Sequence, residues 1–516
     1  MPSLGSIPPG KGAKKRVLRR YLKVKATKPE ERDGGESERS VVLMKQGNRP
    51  EGTLWREGGA VLLEPLEGKM QGTLGPESVS TGLQRVTTLS REAPEMVWTT
   101  LAHHIDLELL KEAYRLTRKD GAVGVDGQRA KEYEENLEVN LRGLLERFKA
   151  GTYKAPPVRR VYIPKGDGKR TRPIGIPTFE DKVLQRAVTM GLEAVYEQDF
   201  LDVSYGFRPK RSAHQAIQEL WKGAMWKGGG YVLELDIAKY FDTLDHRHLR
   251  GFLDKRVRDG VIRKTIDKWL TAGVLEEGTI REPEGGTPQG GVISPLLANI
   301  YLHEVLDKWF EQEVKPRLMG EAFLIRYADD AVIVFYSKTD ADRVLAVLPK
   351  RFGKFGLALH PDKTRLIRFT RPGGKGNKGG PSHPGIFDFL GFTHYWGKAA
   401  NNRWVVKRKT ARDRFTRALK RVSQWCRQHL HLPIKEQHRL LVLKLRGHDQ
   451  YYGIRGNSSA IARFHHEVRR TWRKWLDRRS QRSKMTWERF TRFSKKYSLP
   501  ALRIAASEYS RSKATI

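Results

Sequence analysis

Phe323-Leu-Ile-Arg326-Tyr-Ala-Asp329-Asp330-Ala-Val-Ile-Val-Phe-Tyr336 sets two short runs of apolar, β-branched and aromatic residues on either side of two adjacent aspartates. Runs of this length and composition read as strands, and the break between them as a hairpin. Two carboxylates then sit at its tip, a pattern that points to metal-assisted chemistry. Asp-Asp is also ordinary turn composition, so the stretch takes its meaning from what accompanies it.

Upstream, Tyr231-Val-Leu-Glu-Leu-Asp236-Ile-Ala-Lys-Tyr-Phe241-Asp242 ends a second apolar strand on Asp236, with aromatics just beyond. Carboxylates from two strands could therefore meet at one point. Oxygen ligands without a nearby Cys or His suit Mg²⁺, which keeps several waters and is completed by substrate phosphates. Two such ions roughly 3.5–4 Å apart clamp the attacking and leaving oxygens of an in-line phosphoryl displacement.

Between these strands runs Gly285-Gly-Thr-Pro-Gln289-Gly-Gly-Val-Ile-Ser294-Pro-Leu-Leu-Ala-Asn299. Its glycines and prolines predict a loop that permits close backbone approach to a ligand and hands over to a helix near Ser294; a tight loop with a helix start explains the same residues. Farther upstream, Arg159-Arg-Val-Tyr-Ile-Pro-Lys165-Gly-Asp-Gly-Lys169-Arg-Thr-Arg172-Pro-Ile-Gly-Ile-Pro177 reads as strand, turn and strand, thick with cations. It is either a solvated basic hairpin or one whose Lys and Arg hold a triphosphate, Arg as a bidentate fork and Lys as a point charge.

The order of these motifs resembles the reverse transcriptases encoded by group II introns, also called intron maturases. The resemblance runs from about Ala102 to Trp475 and rests on seven ordered blocks: Gly121–Gly127; Ile163-Pro-Lys165 with Arg172–Pro177; Tyr205-Gly-Phe-Arg-Pro209; Asp236–Phe241; Thr287-Pro-Gln-Gly290 with Ser294–Asn299; Tyr327-Ala-Asp-Asp330; and Phe389-Leu-Gly-Phe392. It implies an α+β right-hand polymerase, with fingers and palm and a helical thumb or maturase domain. Asp236, Asp329 and Asp330 would then be the catalytic, Mg²⁺-binding triad. Lys165 and Arg172 would meet the incoming deoxynucleoside triphosphate, and Gln289 would line the nucleotide pocket. Phe241 would lie beneath the sugar, where a ring leaves no room for a 2′-hydroxyl; a core aromatic at a strand end is the plainer reading. Lys363 would stand near the leaving pyrophosphate, where a cation offsets developing charge, or be one more surface lysine. Phe207 and Arg208 read as scaffold.

Charge supports a polyanionic partner. The 516 residues carry 97 Lys+Arg against 59 Asp+Glu, a formal charge of +38, and cations held against phosphates release counterions. From Ala411 onward there are 27 Lys+Arg and 7 Asp+Glu, so 20 of those 38 positive charges lie there. Phe415, Leu419, Val422 and Cys426 form one helical stripe; a second helix holds Leu440, Leu441, Leu443 and Leu445, and a third Trp472 and Trp475. By the resemblance this stretch grips folded intron RNA.

The expected organisation is a basic, weakly ordered extension at 1–94, fingers and palm at 95–395, a helical RNA-binding thumb at 396–475, and a basic tail at 476–516 that is at most a short DNA-binding segment. One cysteine rules out a disulfide framework or a Cys-rich zinc site, and nothing matches the paired cysteines and histidines of the endonuclease domain that many relatives append. No run of 18 apolar residues predicts a membrane span, and a reducing, cytoplasmic setting is the default. The implied function is RNA-directed DNA synthesis combined with binding a group II intron RNA, assisting its splicing and its mobility into a DNA target. The alternatives are a group-II-like reverse transcriptase serving host defence or DNA repair, and a splicing-only RNA-binding maturase.

Overall fold

A computed structural model describes residues 81–164, 171–276, 279–281, 286, 290–373, 385–480 and 484–504. Lys165 and Gln289, and most of the 1–94 segment, lie outside them.

The chain enters through helix α1 (Thr81–Glu92), which buries Leu83, Val86 and Ser90. The Trp98 indole donates to Ser90 Oγ at 2.9 Å, and Arg256 donates to backbone carbonyls of this segment, including that of Met96 at 2.6 Å. The end of the expected flexible extension is therefore core; its apolar residues recur at helical spacing among polar ones. Helices α2 (Leu107–Leu116), α3 (Ala130–Glu134) and α4 (Leu137–Lys149) follow, α2 started by Asp106, which accepts from the Leu109 amide at 2.8 Å.

Strands β1 (Val158–Pro164) and β2 (Thr171–Ile176) form the basic hairpin, with Ile163 opposite Arg172. Helix α5 (Phe179–Tyr196), capped by Thr178, is buried on most of its sides and runs through the core, its buried polar residues Asp181 and Gln185 bonded to each other. After α6 (Ala213–Met225) come β3 (Gly229–Leu235), α7 (His246–Leu253), α8 (Gly260–Leu270), β4 (Val274–Glu276) and β5 (Thr279–Arg281), the last two extending the hairpin into a sheet of order β2-β1-β4-β5.

Helix α9 (Ser294–Leu302) continues as π-helical turns at His303–Asp307 and Trp309–Val314. Strands β6 (Ala322–Tyr327) and β7 (Asp330–Phe335) make the aspartate hairpin, followed by α10 (Lys338–Gly353) and β8 (Arg365–Thr370). The central sheet is antiparallel, in the order β6-β7-β3-β8. Alternation along its strands serves two cores. Leu233, Leu235, Ala331, Ile333 and Phe335 join the core that contains α5 and α9, while Val232, Val332 and Val334 join one shared with α6.

That second core also contains a three-stranded sheet, β9 (Phe387–Phe389), β10 (Phe392–Lys398) and β11 (Trp404–Thr410). The expected boundary at 395/396 falls inside β10, and the first part of the expected helical thumb is strand. The reason is pairing: β10 bonds β11 along its whole length, and the Trp221 indole donates to the Val406 carbonyl at 2.7 Å. Helices α11 (Arg412–Gln428), α12 (Ile434–Tyr452) and α13 (Ser458–Asp477) then bundle around Val422, Cys426, Leu441, Phe464 and Trp472. Helix α14 (Trp487–Lys496) buries Phe490 in this bundle, with Phe493 against Trp472. The part of the expected tail that is described thus belongs to the helical bundle. Among the described residues, no helix is long and apolar enough to cross a membrane.

Candidate active site

Strand register brings the aspartates together. Leu235 pairs with Ala331, so Asp236, one residue past β3, emerges beside Asp330 at the start of β7. Asp236 is fixed by its backbone: its carbonyl accepts from the His360 amide at 2.8 Å, and Ala238 donates to the Ala358 carbonyl. This places the loop leading to β8 against the end of β3, and with it Lys363, whose Nζ donates to Asp236 Oδ2 at 2.8 Å.

The carboxylates crowd one another. Burial, with the charge of Asp236 added, raises the pKa of Asp329 above its ordinary range, while the charges of Arg172 and Lys363 pull it back. Confinement in the cleft first, then the like charges of Asp329 and Asp236, push Asp330 up to about 7, although its side chain still meets solvent. Arg172 on β2 is thus close enough to act electrostatically on Asp329, so the basic hairpin and the aspartate hairpin face a common cleft.

All the donors are carboxylate oxygens, and their mutual repulsion is what a hard divalent cation would offset. The set fits such an ion in kind. Among the described residues, however, no three Asp, Glu, His or Cys side chains converge as a ready-made metal cluster; the Asp236 carboxylate is turned to Lys363.

Phe241 sits half-buried in the short turn Tyr240–Asp242 after β3, its ring 5.4 Å from that of Tyr240. The left-handed backbone of Lys239 (φ +49°) sets up this turn, and the Phe241 carbonyl is so close to Gly286 that a Cβ there would lie 2.5 Å from it. The glycine loop therefore packs on the backbone that carries Phe241. Arg208 is buried, pairing with Glu197 at 3.1 Å and donating to the carbonyls of Leu201 and Ser204, a structural arrangement.

Sequence reasoning passed over Glu234 and Arg326. Glu234 accepts from Arg365 and, at 3.1 Å, from the Asp388 amide, tying β9 to the central sheet. Arg326 lies under the aspartate turn. In both cases the legible signal was a charged residue inside an otherwise apolar strand.

Residues 163–394 match the family model of reverse transcriptase (RNA-dependent DNA polymerase). The chain is 39% identical over 250 residues to the group II intron-encoded protein LtrA of Lactococcus lactis subsp. cremoris, a match covering 46% of this chain and 41% of that protein. It is 36% identical over 294 residues to protein YkfC of Escherichia coli K12, covering 50% of this chain and 76% of YkfC. It is 29% identical over 234 residues to nuclear intron maturase 2, mitochondrial, of Arabidopsis thaliana, covering 38% and 30%. The chain thus spans about two fifths of the length of the Lactococcus relative.

Proposed function

The chain belongs to the reverse transcriptase/maturase family of group II introns, and from that membership we propose that it is an RNA-directed DNA polymerase that also binds an intron RNA and assists its splicing and mobility. The observation that carries the catalytic half is the meeting of cations and carboxylates at one place: Lys363, from the loop before β8, donates to Asp236 at the end of β3, and with Arg172 of β2 it draws down the pKa of Asp329 in the turn before β7.

Reverse transcriptase domains depend on divalent metal, and here we assign Mg²⁺ to Asp236, Asp329 and Asp330. When bound, the metal lowers the pKa of the attacking primer hydroxyl and neutralises phosphate charge. The residues of the chain do the rest. Arg172 holds the triphosphate of the incoming deoxynucleotide by charge-assisted hydrogen bonds, with Lys165 and Gln289 assigned to the same nucleotide. Lys363 offsets the charge that develops on the leaving pyrophosphate. Phe241 closes the floor under the sugar. The basic bundle of α11–α14 provides the surface for intron RNA and brings the DNA primer end over β9 and β10.

The deciding experiment replaces Asp329 and Asp330 together by Ala. Both carboxyls resist ionisation in the fold, so their removal relieves repulsion and the variant should fold. Primer extension on RNA should fall by orders of magnitude, while RNA affinity and splicing of the flanking RNA persist. A folded variant that loses both activities would show that they share a site and overturn this division of labour.

A further inference from the structure

Two of the sequence blocks, Ser294–Asn299 and Tyr327–Asp330, meet at one buried guanidinium, and a third, Tyr205–Pro209, is tied to it through Gly206 and Asn299. Arg326, near the end of β6 just before the aspartates, is wholly buried, as is its partner Asp307 in the π-helical turn after α9. Its Nε and Nη2 donate to the two oxygens of Asp307 at 2.7 and 2.6 Å. Nη2 also donates to Ser204 Oγ at 2.7 Å. Nη1 donates to Asn299 Oδ1 at 2.9 Å and to the Ala328 carbonyl at 3.0 Å. All five N–H donors of the fork are used.

The Ala328 carbonyl is the informative acceptor. Ala328 has φ +56°, a left-handed conformation that residues with a Cβ adopt only when their surroundings hold them there. Two further contacts close around it. Gly206 lies so near that a Cβ on it would stand 2.2 Å from the Ala328 nitrogen, and the Gly206 carbonyl accepts from Asn299 Nδ2 at 2.6 Å. Asn299 thus bridges the guanidinium and the glycine that packs on the turn. Rotation about the backbone of Ala328 would swing Asp329 relative to Asp330 and Asp236.

We infer that Arg326 is a positioning residue: through Asn299, Gly206 and the Ala328 carbonyl it holds the left-handed turn that aims Asp329 into the cleft. The inference rests on reading Asp329 and Asp330 as the catalytic carboxylates. A buried ion pair that served only to hold the fold would have no need to bond the turn's own carbonyl. A lysine could keep the charge next to Asp307, yet it cannot reach all the partners of a planar fork.

The test compares the full chain with Arg326→Lys and with Asn299→Ala, the second leaving the Arg326–Asp307 pair in place should the first fold poorly. Hydrogen exchange at the amides of residues 327–331 should rise about tenfold in both, because the turn opens locally. Mn²⁺ binding, followed by electron paramagnetic resonance, should weaken. In primer extension kcat should fall on the order of 100-fold, as small misplacements of reacting groups do, with the KM for deoxynucleotide and the RNA affinity little changed. Arg256→Lys, which alters another buried arginine, one that bonds Asp199 and the backbone before Trp98, should leave turn exchange and Mn²⁺ binding as they were. Turn exchange and Mn²⁺ affinity unchanged in both site variants, or changed equally by Arg256→Lys, would overturn the inference. If the unaltered chain extends no primer while Arg326→Lys still loosens the turn, the polymerase reading falls and the positioning role stands; robust extension that is indifferent to Arg326→Lys does the reverse.

Discussion

Lys363 and Asp236 are joined across 2.8 Å, and this contact ties the loop before β8 to the end of β3 at the mouth of the cleft. The lysine side chain is about half exposed (56%), the aspartate less so (30%). A surface ion pair of that kind adds little stability, so its position matters more for charge than for folding. Lys363→Gln is expected to lower the maximal rate of nucleotide incorporation by about tenfold or more, with RNA affinity and thermal midpoint near those of the parent. Single-turnover primer extension beside a melting curve checks this; an unchanged rate would return Lys363 to the ordinary surface lysines.

Phe241 projects from a turn whose backbone is set by Lys239 and packed on Gly286, which fixes the point from which its ring extends. Phe241→Ala should retain deoxynucleotide incorporation and lose discrimination against ribonucleotides by about 10- to 200-fold, the range available to a steric pocket contact. Competitive incorporation of the two nucleotides measures it. Unaltered discrimination in an active variant would make Phe241 a core aromatic.

The helical bundle allows a finer test of RNA binding than truncation, since cutting the chain before β11 would strip the partner from β10. Arg412, Lys420 and Arg427 are exposed on α11. Replacing all three by Gln should weaken RNA binding and make the log–log salt slope shallower by about 2, at roughly 0.7–0.9 for each phosphate no longer neutralised. Binding isotherms at several salt concentrations check this, and an identical slope would place the RNA on another face.

His394 is fully buried in β10, its ring stacked 4.8 Å from that of Phe387. Burial first, then the nearby charge of Arg408, hold its pKa at about 3 instead of 6.5. The unfolded chain therefore binds a proton below about pH 6.5 that the folded chain refuses. Stability from this group is present above 6.5 and is lost as pH falls toward 3, by at most about 1.4 kcal/mol per pH unit. His394→Phe should gain on the parent by about 2 kcal/mol between neutral pH and about pH 5. Urea unfolding at the two pH values reads the difference, and parallel behaviour of the two proteins would count against a buried neutral imidazole.

Much of the palm was legible because its signals are local. Alternating apolar runs around Asp329 and Asp330, and a third ending on Asp236, name their own strands and leave the carboxylates at the strand ends. Helices α11, α12 and α13 were equally legible from their apolar stripes. Less was legible where order comes from distant partners. Helix α1 is short and mostly polar, and becomes core only because α5, Trp98 and Arg256 enclose it; β11 is rich in Lys and Arg, and is a strand because β10 pairs with it.

Motif order, composition and period are properties of the chain alone, and from them came the family, the sign of the chain's own charge and the residue types expected at the candidate site. Which of those residues touch was set by the folded arrangement. Asp236 and Lys363 lie 127 residues apart and meet through a backbone pairing between two loops. Arg326 gathers Ser204, Asn299 and Asp307 from three segments because a buried charge has to find every partner within reach of one planar fork. That requirement acts across space, and no spacing along the chain records it.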